Sequence, residues 1–278
     1  MRNTTKINGT ARTAPRLEKV NPLVRRPATP QLELREGRYV ARFARTPMEL
    51  DAALRLRFEV FNLELGEGLA SSFRTGRDRD EFDDACEHLI VLEAETEKVV
   101  GTYRMQTSEM ALAGSGFYTA AEFELSRFPR GVLDEGVELG RACVAQSHRN
   151  TQALFLLWKG LAAYAALRRK RYLFGCCSLT SQDANEGWRV MGHLETQGHL
   201  HPSLFAPPVQ RYACDPNNSN SVGGEDVKLP RLFRTYLRFG AKVCSAPAID
   251  REFKTIDFLV LFDLAEMDTR TNRMFFLA

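Results

Sequence analysis

Glu138-Leu-Gly-Arg-Ala-Cys-Val144, followed by Gln146-Ser-His-Arg-Asn-Thr-Gln-Ala153, is the stretch whose reading decides the fold. It reads as a strand over 137–144, a tight polar turn, and a long apolar helix over 153–169. A strand that feeds a helix N-terminus makes an anion site, because the first helical N–H groups have no partner within the helix. Asn150 and Thr151 are the candidate caps. Arg149 adds positive charge beside them, and Glu138 puts a carboxylate on the strand upstream. In regular alternation Glu138, Gly140 and Ala142 share one face of the strand, and Leu139, Arg141 and Cys143 the other. A bulge near Gly140 re-aims a side chain, breaks the ladder and frees an N–H for an oxyanion.

Working outward, Tyr39 to Ala44 opens the sheet, and Pro47 precedes a helix from about Met48 to Leu65. Leu50, Ala53, Leu54, Phe58 and Phe61 recur on one face of that helix. Residues 66–79 are rich in glycine and charge and read as a loop. Leu89 to Ala94 and Val99 to Met105 read as an antiparallel hairpin. Residues 111–117 are an Ala/Gly loop and 119–125 a short helical turn. Tyr172 to Ser178 is short and apolar, as a buried strand should be. A helix over 182–191, an extended stretch over 202–214, a polar loop over 217–225 and a helix opening at Pro230 follow. Phe258 to Phe262 is a final buried strand. Strands and helices in this order predict one α/β domain around a central mixed sheet.

The bulk properties exclude several classes. No apolar run reaches the roughly 18 residues that span a bilayer, and the sequence is read as carrying no secretory h-region. Residues 1–45 hold 11 Lys/Arg against 3 Asp/Glu, so this segment carries +8 and the remainder −5 of the net +3. A basic tail on an acidic body suits contact with anionic lipid or an acidic protein. Residues 1–36 have no sustained period and read as a disordered tail, with the folded domain over 37–278. The six cysteines show no C-x-x-C spacing, and Cys143, Cys176 and Cys177 sit in apolar runs as buried thiols do. Ser147 lacks the context of a hydrolase elbow, and His88 lacks a partner at metal-ligand spacing. Gly114-Ser-Gly116 lacks the strand-then-helix setting of a nucleotide loop. No metal is expected.

Three polar groups stand out from apolar surroundings: Arg57 with Phe61, Asp80-Glu-Phe-Asp83, and Arg104 with Glu138 and Arg141. Arginine–carboxylate forks can tie them together. In this order and spacing they resemble the acyl-homoserine-lactone synthases. A closer resemblance is to the ornithine–acyl carrier protein N-acyltransferases and related N-acyl amino acid synthases, sometimes labelled hemolysin-like. It is carried by Asp83-x-x-Cys86-x-His88-Leu, Val100-Gly-Thr-Tyr-Arg104, Gly116-Phe-Tyr-x-x-x-Glu-Phe123, Glu138-Leu-Gly-Arg-x-Cys-Val144, Leu157-Trp-Lys-Gly160 and Leu173-Phe-Gly-Cys176. Tyr236-Leu-Arg-x-Gly240, Asp250-x-x-Phe253 and Asp257 extend it.

The resemblance implies a GNAT-like fold, with a mixed sheet splayed at the middle strand and flanking helices. It implies a bacterial transferase that moves a fatty, 3-hydroxylated acyl group from acyl carrier protein to the α-amine of an amino acid. Ornithine is the leading acceptor, giving lyso-ornithine lipid; glycine, glutamine and tyrosine are alternatives. No cofactor is implied beyond the 4'-phosphopantetheine of the donor, and nucleic acid is not a partner. A cytoplasmic enzyme touching the inner membrane peripherally is expected. Glu138 is the candidate base, with Arg104 and Arg141 beside it. Arg57, Phe61, Asp80, Asp83 and Phe117 are the candidate acceptor and acyl contacts. The arm is expected at Val144, His148, Arg149, Asn150, Thr151 and Gln152. Two departures matter. The turn Gln146 to Thr151 has no glycine, unlike the phosphate loop of many acetyltransferases of this fold. Gly66-Glu-Gly-Leu stands where the lactone synthases usually carry a Trp, which argues against adenosylmethionine use. A lytic membrane protein or a binding module without activity are the readings from other classes, and no pore-forming segment supports the former.

Overall fold

The turn at residues 94–98 folds back two runs of buried residues, and the resulting hairpin β3 (Glu87–Glu93) and β4 (Val99–Thr107) is the spine of the sheet. The computed structural model describes residues 28–215 and 227–276. Residues 1–27 of the tail expected over 1–36, and the polar loop expected over 217–225, lie outside the described residues. Nine strands of the described residues form one mixed sheet. Its order is β1 (Glu33–Glu36), β2 (Tyr39–Phe43), β3, β4, β5 (Gly136–Val144), β6 (Tyr172–Leu179), β9 (Thr255–Asp263) and β7 (Lys242–Val243). β8 (Ala248–Asp250) pairs with β9 farther along the same strand. β1 corrects the end of the expected tail: Glu33–Glu36 pairs antiparallel with Tyr39–Arg42 on β2, Glu33 facing Arg42 and Glu36 facing Tyr39. Three charged residues in four masked it, as suits an exposed edge strand.

All neighbouring strands are antiparallel except β5 and β6. That parallel pair requires a crossover, supplied by α5 (Thr151–Arg168). α5 lays Leu156, Leu157, Leu161, Tyr164 and Ala165 onto the sheet, each at most 1% exposed. Burying each large apolar side chain contributes about 2 kcal/mol. Gly160 lets the helix approach closely, since a Cβ there would stand 2.6 Å from the Leu89 side chain. α1 (Pro47–Phe58) starts at a capping box, with Thr46 accepting from the Glu49 N–H and Glu49 reaching back to the Thr46 N–H. A π-helical turn over Glu59–Glu64 continues it, and the combined run matches the helix expected to Leu65.

The loops carry short helices that the sequence reading left irregular: α2 (Ser72–Thr75), α3 (Ser108–Ala113) and α4 (Arg130–Asp134). α6 (Ala184–Thr196) runs five residues beyond its expected end, and α7 (Arg231–Arg238) starts after Pro230 as expected. α8 (Thr269–Phe276) sets Phe275 against Trp158 and Phe239.

β5 and β6 pair only at Gly136–Tyr172, Val137–Leu173 and Glu138–Phe174, and then part. At the parting point Gly175 lies against the Leu139 carbonyl, in a place where any Cβ would collide. The β4–β5 register shifts there too: Arg104 faces Gly140 and Thr102 faces Cys143, leaving Arg141 and Ala142 together opposite Tyr103. Arg141 takes φ = 52°, the left-handed conformation seldom seen outside glycine. The sheet is therefore splayed at its middle strand, with a bulge on the open edge.

Candidate active site

A cavity of about 300 Å³ occupies the splay. Glu138, Gly140, Arg141 and Ala142 line it from β5, and Gly175, Cys176 and Ser178 from β6. Phe61 and Glu67 come from the α1 side, Tyr103 and Arg104 from β4, and Phe253 and Asp257 from the β8–β9 turn and β9. Two faces of β-backbone thus meet a cavity without a strand between them, which exposes main-chain donors that a closed sheet would consume.

Glu138 is 6% exposed. Its carboxylate accepts the backbone N–H of Tyr118 at 2.9 Å and of Thr119 at 2.7 Å, and also the Thr119 hydroxyl. Burial raises the Glu138 pKa, and the donors of Thr119 and Tyr118 oppose that rise. Glu138 therefore fastens the 118–121 turn across the cavity, in addition to facing it.

The bulge brings Arg141 onto the face of Gly140, where it meets Arg104. Arg104 Nη1 donates to Asp80 at 2.6 and 2.7 Å, and Arg141 Nη2 donates to Asp80 at 3.1 Å. Arg141 lies flat between rings, its guanidinium carbon 4.3 Å from the Phe253 centroid and 5.0 Å from that of Tyr118. Arg57, 0% exposed, donates to Asp78 at 2.8 Å and to Asp83 at 2.6 and 3.3 Å. Arg104 also reaches Asp83 at 3.2 Å, and Arg141 lies 3.3 Å from Asp78. Three arginines and three aspartates thus make a self-neutralising lattice. Burial acts to raise the Asp83 carboxyl, but the Arg57 and Arg104 charges overcome it and hold the group well below the usual range. Burial also pushes His88 down to about 4, against the Asp83 charge.

This geometry revises four expectations. Arg57, Asp80 and Asp83 do not line the cavity, and their charges are spent on one another. Phe117 packs edge-on to Phe174, 5.2 Å between centroids, and faces the core beneath the cavity. Among other aromatic residues nearby, Phe61 and Trp158 line the cavity, whereas Phe58 packs on Phe73 and Phe123 is wholly buried.

The entry to α5 is also arranged differently from expectation. Asn150 caps the helix, its Oδ1 accepting the Ala153 N–H at 3.0 Å. That leaves the Thr151 and Gln152 N–H groups directed out of the helix end. His148 Nδ1 lies 3.1 Å from the Tyr39 hydroxyl, which also accepts from Asn150 Nδ2 at 2.7 Å. Arg149 is paired with Glu64 and donates to the Val144 carbonyl at 3.0 Å, so its charge is already matched.

Several buried acids in or near the cavity have no role assigned from the sequence. Asp78 completes the lattice, yet Arg77-Asp-Arg79 looks like a surface charge run. Glu67 is 6% exposed, its pKa raised by burial against its bond to Thr180. Glu122, Asp250 and Asp257 converge, with carboxylate oxygens all within 4.8 Å of one another, and are the described residues best placed to hold a cation. Spacing could not reveal the group, because Glu122 lies far along the chain from the β8–β9 hairpin that carries Asp250 and Asp257. Burial pushes Cys143 up to about 12 and Cys176 well above its ordinary value, so neither supplies a ready thiolate.

Residues 56–159 match the family model described as an acetyltransferase (GNAT) domain. Two curated relatives are L-ornithine N(alpha)-acyltransferases. That of Agrobacterium fabrum is 32% identical over 253 residues, 85% of this chain and 84% of the relative. That of Rhizobium meliloti is 31% identical over 243 residues, 82% of this chain and 81% of the relative. Among solved structures, FeeM, an N-acyl amino acid synthase from uncultured soil microbes, aligns over 82% of this chain and 92% of its own, at 15% identity and TM-score 0.48. The acyl-homoserine-lactone synthase LasI aligns over 86% and 95%, at 10% identity and TM-score 0.45. The protein is an acyltransferase with a GNAT-like fold, and by its likeness to the curated relatives it belongs to the L-ornithine Nα-acyltransferase family.

Proposed function

We propose that the protein transfers a fatty acyl group from the thioester of acyl carrier protein to the α-amine of ornithine, as its curated relatives are named for the acceptor. The observation that carries the reading is the splay between β5 and β6. An extended pantetheine arm has room to lie along β5 from Ala142, with its phosphate at the open N–H groups of Thr151 and Gln152. Val144, His148, Asn150 and Arg149 shape that entry and hold it rigid.

The neutral α-amine attacks the thioester carbonyl carbon; a C–N bond forms and the C–S bond breaks. The α-ammonium must first lose a proton. Glu138 takes that proton, directly or through a water, and its raised pKa suits a base that works near neutrality. An amide released from the ladder at the Arg141–Ala142 bulge stabilises the oxyanion. As the tetrahedral intermediate collapses, the attacking nitrogen sheds its second proton and the departing thiolate takes it up, leaving the amide and the free carrier thiol. Arg104 and Arg141 border the site and orient the acceptor carboxylate through the edges not held by Asp80. Arg57, Asp80 and Asp83 keep those two guanidiniums in place. Direct attack needs no acyl-enzyme, in keeping with the inert thiols.

The purified protein is to be incubated with 3-hydroxyacyl carrier protein and ornithine, and the products read by mass spectrometry. N-acyl-ornithine is expected, faster than with the matching acyl-CoA. Acylation of glycine, glutamine or tyrosine in its place would sink the acceptor assignment, and equal rates from acyl-CoA would sink the donor assignment.

A further inference from the structure

The Arg57–Arg104–Arg141 lattice is balanced by Asp78, Asp80 and Asp83 alone. That leaves the acids on the other side of the cavity without a cation. Glu122, Asp250 and Asp257 are 1%, 5% and 3% exposed. Among the described residues, no lysine or arginine forms an ion pair with any of them. Their hydrogen bonds are also incomplete. Asp250 Oδ1 accepts the N–H groups of Glu252 and Phe253, each at 2.8 Å, so Asp250 is held by its own turn. Asp257 Oδ2 accepts from the Thr255 hydroxyl at 3.0 Å, and Glu122 Oε2 from the Cys176 thiol at 3.8 Å. Glu122 Oε1 and Asp257 Oδ1 are fully buried and have no donor. Two such oxygens side by side call for a shared proton or for a cation from outside.

The place of this group in the cavity decides between them. Asp257 lines the wall, and so do Cys176 and Ser178 beside it. Glu138 is in register with Phe174 on β6. Phe174, Cys176 and Ser178 share a face of β6, and Asp257 is in register with Ser178. Cys176, which touches Glu122, is thus two residues beyond Phe174, about 7 Å along the strand. That is close to the extended span of the four carbons, Cα and three methylenes, between the two nitrogens of a short diamino acid such as ornithine. The α-amine of such an acceptor can stand at Glu138 while its far ammonium enters the acidic end.

We propose that Glu122 and Asp257, backed by Asp250, form the pocket that takes the side-chain ammonium of a diamino acid acceptor and so set the acceptor class. The proposal rests on the acceptor reading given above and extends it to named residues. An ammonium supplies N–H donors to the two unpartnered oxygens and the charge that the group lacks. A neutral acceptor of the same length leaves both unmet, so discrimination against it is large.

The test is calorimetric binding of ornithine and of norvaline, its analogue without the terminal amine, to the full-length protein and to Asp257→Asn and Glu122→Gln. Acylation assays and metal analysis run on the same preparations. Circular dichroism and norvaline binding verify that each variant is folded. The wild type is expected to bind ornithine at least 30-fold more tightly than norvaline, and each variant to bring that ratio below 5. A ratio that survives both substitutions overturns the proposal while leaving ornithine acylation standing. Selective binding of ornithine without acylation upholds the ammonium pocket and sinks the proposed reaction. Stoichiometric divalent metal in the wild type, lost in both variants, overturns the proposal in favour of a metal site.

Discussion

Glu138 and Thr119 are joined twice, once through the Thr119 backbone N–H at 2.7 Å and once through its hydroxyl. The carboxylate that faces the splay is therefore the same one that holds the 118–121 turn over it. Base and anchor are separable by substitution. Glu138→Gln removes the base and is expected to lower kcat by about 10²–10⁴-fold. Thr119→Val keeps the carboxylate and both backbone N–H bonds to it, so its loss should be about tenfold or less. The pH profile distinguishes the two further. Burial raises the Glu138 pKa, so the carboxylate form, and with it kcat, falls away as pH drops through a value above the usual carboxylate range. That acid limb should persist in Thr119→Val and vanish in Glu138→Gln. Equal profiles in both variants would remove Glu138 as the base.

The arginine–aspartate lattice predicts a stability effect from a residue that does not touch the cavity. Arg57→Ala leaves Asp78 and Asp83 buried and unpaired, and the cost of one partner lost from a buried pair is about 3–5 kcal/mol. Urea unfolding should show that loss as a lower midpoint. Arg57→Lys keeps the charge but not the fork, and should fall between the two.

How far these features could be read from the sequence follows from their span. The β5–turn–α5 unit is legible because strand, cap and helix are contiguous: Asn150 caps and Arg141 bulges within a few residues of where the pattern places them. The pairing of Arg57 with Asp83 was also legible as a motif, but its meaning was not. Only burial shows that these charges are consumed by one another. Glu122 and Asp257 lie 135 residues apart: Glu122 ends the 118–121 turn beside Cys176 on β6, and Asp257 on β9 is in register with Ser178 of the same strand, which no local pattern encodes. β1 was missed for the opposite reason, since an edge strand needs little apolar sequence.

His88 makes stability depend on acid. Its ring is 6% exposed, and burial holds its pKa down to about 4. The unfolded value is about 6.5, so the unfolded chain binds the proton more readily between these limits. The stabilisation is fully present above pH 6.5 and is lost progressively as pH falls toward 4. The span corresponds to about 3 kcal/mol. Melting temperatures of the wild type and His88→Gln, compared from pH 7.5 to 4.5, should converge as the pH falls. Parallel curves would show that His88 does not titrate in this window.

The acids at the far end of the cavity make the empty protein less stable than its shape allows. Burial pushes Glu122 and Asp257 upward; the charges of Asp257 and Asp250 add to the rise in Glu122, whereas the Ser178 and Thr255 hydroxyls oppose it in Asp257. Their folded pKa values exceed the unfolded ones, so the stability they permit is complete at low pH and is lost as pH rises through the folded values. Asp257→Asn removes one of the opposed charges. It should raise the melting temperature at pH 8 by about 2–4 °C, equivalent to roughly 1 kcal/mol. The gain should shrink as pH falls and the carboxyls take up protons. Saturating ornithine should reverse the order, stabilising the wild type more than the variant.

Gly175 governs the opening of the sheet. Its Cα hydrogen faces the Leu139 carbonyl at the last point of contact between β5 and β6, and a methyl group there meets main chain that cannot rotate away. Gly175→Ala must push the strands apart or shift β6 against β9. Overpacking of this kind costs about 1–3 kcal/mol. The displacement moves Cys176 and Glu138 relative to one another, so the loss in kcat/KM should exceed what the loss of folded protein explains. Gly131, exposed on α4 with open space where a Cβ would be, is the control: Gly131→Ala should leave both quantities near wild type. A Gly175→Ala protein as active as the wild type per folded molecule would show that the width of the splay does not set the alignment of donor and acceptor.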